Sequence, residues 1–207
     1  MVFSRLRLTE EGLLLATTNT GKIREFKTSL KNLPLQISSL KELDLTQVFP
    51  ETGKTFLENA RGKSLYYSRY WEGLTLAEDS GLAIDCLNGA PGIYSSRFAG
   101  TSATDEDNIQ KVLRVMKGIP LQQRKARFIS CLVLSQKEHI ITEIQEDVDG
   151  FITLQKIGRG GFGYDPIFFY PPLKRTFAEL SPDEKNGISH RGRALEKLCA
   201  FLLEYFK

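Results

Sequence analysis

The apolar run Leu13-Leu14-Leu15 passes into the polar turn ATTNTG and then into KIREFKTSL, a switch that predicts a buried strand over Leu13–Thr17 and a helix over Lys22–Leu30. Ile23, Phe26 and Leu30 lie at helical spacing, and Pro34 ends that helix. Leu35–Leu40 reads as a second short strand. Phe56–Tyr70 reads as a second helix with Phe56, Ala60, Ser64 and Tyr67 on one face. A third strand is expected over Leu74–Ala77, followed by a long irregular stretch, EDSGLAIDCLNGAPGIYSSRFAG. Thr104 opens the next helix as its N-cap, with acids in the first turn that suit the helix dipole. From Arg127 the pattern becomes strand-like, in FISCLVLS, HIITEI and GFITLQKI, and two of these segments are expected to pair antiparallel. SPDE at 181–184 spells a capping box, and a last helix from about Gly192 to Tyr205 is expected to bury Leu195, Leu198, Leu202 and Tyr205. Strands alternate with helices and then gather in a run. The expected fold is therefore α/β, a mixed sheet with helices on it, drawn out into two lobes.

Composition narrows the function classes. The 207 residues are 41% hydrophobic and 26% charged, as in an ordinary globular protein, and they suffice for one large domain or two lobes. The net charge of +3 is spread without a Lys/Arg block, which gives no case for nucleic acid or a membrane surface as partner. Cys86, Cys131 and Cys199 are odd in number and far apart, so they read as reduced thiols, mostly in the core. The start, MVFSRLRLTEEG, is too charged for a secretory signal, and no segment reaches the roughly 20 apolar residues of a membrane span. A cytoplasmic protein is expected, with residues 1–12 as an arm before a single two-lobed domain over 13–207.

Candidate chemistry concentrates in a few stretches. A strand entering a small polar turn and then a helix offers backbone N–H groups and a helix N-terminus to an anion, so Thr17 to Lys22 is a candidate phosphate turn. It is not the common nucleotide loop, whose first Gly and final Ser/Thr are here Ala16 and Ile23. Asn59 and Lys63 share a helix face, and Lys63 with Lys22 supplies two cations for a polyphosphate. Glu78 and Asp79, with Glu51 and Asp85, are hard oxygen ligands suited to Mg²⁺. Taken singly, the acid pair also reads as a turn cap and each lysine as a solvated charge. Gly158-x-Gly160-x-x-Gly163 matches the dinucleotide fingerprint in letters, but Tyr164-Asp165-Pro166 and a β-prone run follow where a helix is required. That excludes a nicotinamide-linked oxidoreductase. What remains is a Gly loop offering Phe162 and Tyr164 beside Asp165 as a stacking place for a flat base, or else a tight connection with core aromatics. The two histidines, His139 and His190, assemble no nucleophilic triad.

Five ordered stretches, TNTGKIREF, ETGKTFLENARGKS, EDSGLAIDCLNGAPGIYSSRFAG, GGFGYDPIF and EKNGISHRGRAL, resemble the inosine triphosphate pyrophosphatase family from Leu13 almost to the C-terminus. The resemblance implies a long mixed sheet with flanking helices forming two lobes around a central cleft, and a homodimer. It implies Mg²⁺-dependent hydrolysis of ITP, dITP and XTP to the monophosphate and pyrophosphate. By position it makes Thr17, Thr18, Asn19, Thr20, Gly21 and Lys22 the triphosphate turn, with Lys63 as a second cation. Glu51 and Asp79 become metal ligands, and Asp79 also the general base. Ser80 touches the substrate, and Phe162, Gly163, Tyr164, Asp165, Lys185, His190 and Arg191 surround the purine. Two positions depart from the usual spelling: Glu78, where the family carries Asp, and Arg159, where a small residue is usual. The alternative from another class is a nucleotide-binding sensor without turnover, which has no need of a water-activating carboxylate.

Overall fold

The computed structural model describes residues 12–207. The proposed arm lies outside these residues except for Gly12, which already belongs to the fold: its carbonyl accepts from the Leu74 amide. A Cβ on Gly12 would sit 2.5 Å from the Gln36 carbonyl oxygen, so only glycine fits there.

Seven strands form one mixed sheet in the order β2-β1-β3-β4-β5-β6-β7. They are β1 (Leu13–Leu15), β2 (Ile37–Ser39), β3 (Leu74–Ile84), β4 (Lys125–Gln136), β5 (His139–Ile152), β6 (Phe168–Tyr170) and β7 (Arg175–Thr176). The α-helices among the described residues are α1 (Thr20–Ser29), α2 (Phe56–Tyr67), α3 (Asp105–Val115), α4 (Pro182–Ile188) and α5 (His190–Tyr205). β1 pairs in parallel with β2 and β3, and β6 pairs antiparallel with β5 and β7. Lys137 and Glu138, both at positive φ, make the two-residue turn between β4 and β5. The chain divides into two compact units, one of residues 12–79, 130–146 and 192–207, the other of residues 80–129 and 147–191.

In the first unit the continuous apolar run of β1 is explained by a sheet covered on both faces. Leu13, Leu15, Leu74 and Leu76 pack with Phe26 of α1 and with Ala194, Leu195, Leu198 and Leu202 of α5. Leu14, Ala16 and Ala77 turn the other way and pack with Tyr67 of α2. In the second unit Leu82, Ile84, Phe128, Phe168 and Phe177 pack with Ile109, Val112 and Met116 around α3.

The capping box at Ser181/Glu184 and the N-cap at Thr104 form as expected, and Thr104 with Asp107 completes a second capping box. Two boundaries change the reading of the site. The third strand does not end at Ala77 but continues through Glu78, Asp79 and Gly81 to Ile84, because Leu82 and Ile84 keep alternating into a core. HIITEI and the start of GFITLQKI are one strand, His139–Ile152: exposed Asp147 and Asp149 alternate with buried Val148 and Gly150, so QEDVDG is strand and not turn. Gly150 is needed there because the Phe168 ring and the Phe169 carbonyl approach within 2.6 Å of where a Cβ would lie. The last helix starts at His190, two residues before Gly192, and Tyr205 is half-buried. Of the cysteines, Cys86 is exposed rather than in the core.

Arg124 is the largest fully buried side chain, and its guanidinium donates to three backbone carbonyls, Ile152 at 2.7 Å, Met116 at 2.8 Å and Thr153 at 2.8 Å. It ties the end of α3 to the end of β5. Arg124→Ala leaves those carbonyls without their donor and should lower stability by about 3 kcal/mol or more. Thr104→Ala removes only an exposed cap and should cost about 1 kcal/mol. Denaturant unfolding of the two variants checks this order; a larger loss at Thr104 would contradict it.

Candidate active site

The candidate residues form two groups, one within each unit. In the first unit the turn after β1 is capped from inside: Asn19, at the N-cap of α1, accepts from the Lys22 amide at 3.0 Å, and Thr17 Oγ1 accepts from the Asn19 amide at 3.2 Å. Thr18, Asn19 and Thr20 are exposed, while Thr17, Gly21 and Lys22 are half-buried.

Glu78 and Asp79 are consecutive on a strand, so the pleat sends them to opposite faces. Glu78 shares the side of Leu74 and Leu76, where α1 packs, and its carboxylate lies 3.3 Å from the Lys22 ammonium. Ser130 of β4 donates to the other Glu78 oxygen at 2.7 Å. Asp79 shares the side of Ala77, where α2 packs, and accepts from Asn59 Nδ2 at 3.0 Å. The expected strand end at Ala77 would leave both acids on one irregular stretch; the strand instead runs on to Ile84, and its geometry separates them.

Asn59 links two elements. Its Oδ1 accepts from the Gly53 amide at 2.8 Å, which fixes the PETG loop, while its amide nitrogen serves Asp79. Thr55 caps α2 by accepting from the Glu58 amide, and this sets the helix phase that puts Asn59 and Lys63 on one face. Lys63 is ion-paired with Glu51 and also donates to the Glu78 carbonyl at 3.4 Å.

Burial pushes the Asp79 carboxyl above its ordinary range; Lys22 and Lys63 oppose the shift, Glu51 adds to it and the Asn59 hydrogen bond opposes it. The negative charge of Glu51 is thus felt at Asp79, and a cation shared by these two hard oxygen groups would relieve both the repulsion and the burial. The pair fits Mg²⁺. Among the described residues no three His, Cys, Asp or Glu side chains stand together as a full ligand set, so phosphate oxygens and water would have to complete the shell. Asp85 lies in the second unit, exposed at the start of a 3₁₀ turn, 3.9 Å from Arg127. Burial pushes the nearby Cys131 thiol up to about 12, which keeps it protonated and a poor nucleophile.

In the second unit the Gly loop is organised by Asp165, whose Oδ2 accepts from the Lys185 ammonium at 2.6 Å and from the Phe162 amide at 2.9 Å. A Cβ on Gly161 would meet that oxygen at 2.0 Å, and Gly161 has φ of 73°, so the approach requires glycine. Lys185 stands 4.6 Å and Arg191 5.4 Å from the centre of the half-buried Phe162 ring, both in cation–π contact with it. Arg191 donates to Ser80 Oγ at 2.9 Å, and His190 stacks on Phe128 at 4.8 Å. The Gly163 amide donates to Asp105 at 2.7 Å. Tyr164 differs from expectation. It is buried in the core cluster with its hydroxyl on the Ser95 carbonyl at 2.7 Å, so it supports the loop and does not stack on a base.

The model for the Ham1 family matches residues 13–201. The chain belongs to the Ham1 family. Among relatives, the dITP/XTP pyrophosphatase of Bacillus cereus is 45% identical over 198 residues, covering 94% of this chain and 96% of that protein. That of Bacillus subtilis is 44% identical over 189 residues, covering 91% and 96%. Among solved structures, a HAM1 protein from Coxiella burnetii superposes with a TM-score of 0.85 at 40% identity, covering 93% of this chain and 98% of that one. The seven-strand mixed sheet with flanking helices is thus a Ham1 fold.

The first unit accordingly brings together Glu51, Lys22, Lys63 and Asp79, and the second Phe162, Asp165, Lys185, Arg191 and Ser80. Sequence reasoning does not reach Ser130, one of two serines in the apolar run FISCLVLS, nor the bridging part played by Asn59.

Because burial raises Asp79, the folded chain holds that proton more tightly than the unfolded chain, and its ionised form is a standing cost that grows as pH rises through the folded value. Asp79→Asn removes this cost along with the negative charge. The variant should melt at or above the wild-type temperature at pH 8 while losing at least about 10³ of any turnover. A folded variant within tenfold of wild-type activity would contradict the assignment.

Proposed function

We propose that the protein hydrolyses non-standard purine nucleoside triphosphates, ITP, dITP and XTP, to the nucleoside monophosphate and pyrophosphate, and so clears deaminated purines from the nucleotide pool. One observation carries this reading: a buried carboxylate, Asp79, stands among two lysines and a second acid, with its proton affinity raised by burial and by Glu51. A protein that only sensed nucleotides would have no use for such a group. The sequence relatives named above support the substrate class.

The chemistry follows from the residues. The polar turn at Thr17 to Lys22 and the Lys63 ammonium receive the triphosphate, Lys22 from the α1 side of the sheet and Lys63 from the α2 side. Both cations are held by carboxylates, so they present charge to the phosphates without first being ordered. Asp79 takes the proton from the attacking water, which adds at the α-phosphorus as the bond to pyrophosphate breaks. Mg²⁺ is the proposed cofactor; held by Glu51 and Asp79, it would supply positive charge to the phosphate oxygens. The Asn59 hydrogen bond orients the Asp79 carboxylate for its part. No covalent intermediate is required. A homodimer in the cytoplasm is proposed from the family resemblance; no described helix is long and apolar enough to cross a membrane.

The proposed readers of the purine are Lys185 and Arg191. Inosine and xanthosine carry an acceptor oxygen at position 6, where adenosine carries an amino donor, and Lys185 and Arg191 are buried donors set about the Phe162 ring. Adenine leaves such donors facing another donor, a mismatch that discriminates by roughly 10⁴ in kcat/KM. The experiment is pyrophosphate release with Mg²⁺ from ITP, XTP, GTP and ATP, in wild type and Arg191→Ala. Wild type should favour ITP and XTP strongly over ATP, and the variant should lose most on ITP and XTP. Equal rates on ITP and ATP in wild type, or equal losses on all four in the variant, would refute the base assignment.

A further inference from the structure

Ser130 has no part in the chemistry described so far and Glu78 only that of a partner to Lys22, yet the first unit buries a hydroxyl on one and a charge on the other. The Glu78 side chain is fully buried and that of Lys22 is only 15% exposed. A carboxylate at such depth is costly unless hydrogen-bonded and paired. Ser130 meets the first need through Oε1 at 2.7 Å, and Lys22 the second beside Oε2 at 3.3 Å. Ser130 is itself wholly buried, and along β4 it alternates with Leu132 and Leu134, which pack in the same cluster as Leu74 and Leu76 on the Glu78 side. An apolar residue would serve that position if packing were its only task.

We infer that Ser130 is a positioning residue that fixes the Lys22 ammonium through Glu78, an inference that rests on the reading of Lys22 as a phosphate group. Lysine is a point charge on a flexible four-carbon stem, and holding it in one place is what converts it into a preformed phosphate contact. The hydroxyl of Ser130 stops the Glu78 carboxylate from rotating, and the fixed carboxylate stops the ammonium from swinging. The two consecutive acids thereby divide their work: Glu78 sets the cation, and Asp79 handles the water.

The test measures binding of inorganic tripolyphosphate by calorimetry, together with KM and kcat for ITP, in the full-length protein. Ser130→Ala should weaken tripolyphosphate by about tenfold, the scale of one charge-assisted hydrogen bond, and raise KM by a similar factor with kcat within about twofold. Ser130→Thr, which keeps the hydroxyl, should restore both. In a Lys22→Ala background Ser130→Ala should cause no further loss, since a residue acting through Lys22 has nothing left to act on. Glu78→Gln keeps the shape but not the charge; it should show the same loss and the same dependence on Lys22, and it carries the test if Ser130→Ala fails to fold. Additive losses in the Lys22→Ala background, or wild-type tripolyphosphate affinity in both single variants, would overturn the inference. A wild type that binds tripolyphosphate but leaves ITP intact would instead overturn the proposed function and leave the positioning role standing.

Discussion

The pleat of one buried strand governs the chemistry of the first unit. Because successive side chains of a strand point to opposite faces, Glu78 and Asp79 enter different surroundings although they are adjacent in sequence. Glu78 meets Lys22 and Ser130 on the side where α1 packs, and Asp79 meets Asn59 on the side where α2 packs. Two carboxylates on one face would repel each other with little to separate their roles. On opposite faces, one becomes the fixed partner of a cation and the other keeps a burial-raised proton affinity suited to accepting a proton. A one-residue slip in register would exchange those roles.

The second unit solves a different problem by similar means. Asp165 uses a single oxygen to hold the Lys185 ammonium and the amide of Phe162, so the loop and the cation are placed together. The cost is a backbone approach that only Gly161 permits. Tyr164 and Gly163 anchor the same loop through Ser95 and Asp105. The acids that open α3 were read as dipole partners, and Asp105 serves the loop as well. A flat ring with two cations over it is the result, and it suits a purine whose edge carries acceptors.

Much of this was readable from the residues. The β1 run, the Asn19 turn, the Thr104 N-cap and the Ser181 capping box announce themselves because each is a local pattern with a local cause. The long strands were harder. Gly81 and the QEDVDG stretch look like turn signals, and only long-range pairing and alternating burial make strands of them. Tyr164 is hard to place for the same reason, since whether an aromatic stacks on a ligand or fills a core is decided by partners distant in sequence. The ligand assignments for Lys22, Lys63, Glu51 and Asp79 came from ordered motifs, while Ser130 and the bridging of Asn59 needed coordinates.

In the proposed reaction, water activated at Asp79 attacks the α-phosphorus and expels pyrophosphate intact. The most direct measurement is hydrolysis of ITP in ¹⁸O-labelled water, with mass analysis of both products. One labelled oxygen is expected in the monophosphate and none in the pyrophosphate. Label in the pyrophosphate, or products consisting of the diphosphate and inorganic phosphate, would contradict it.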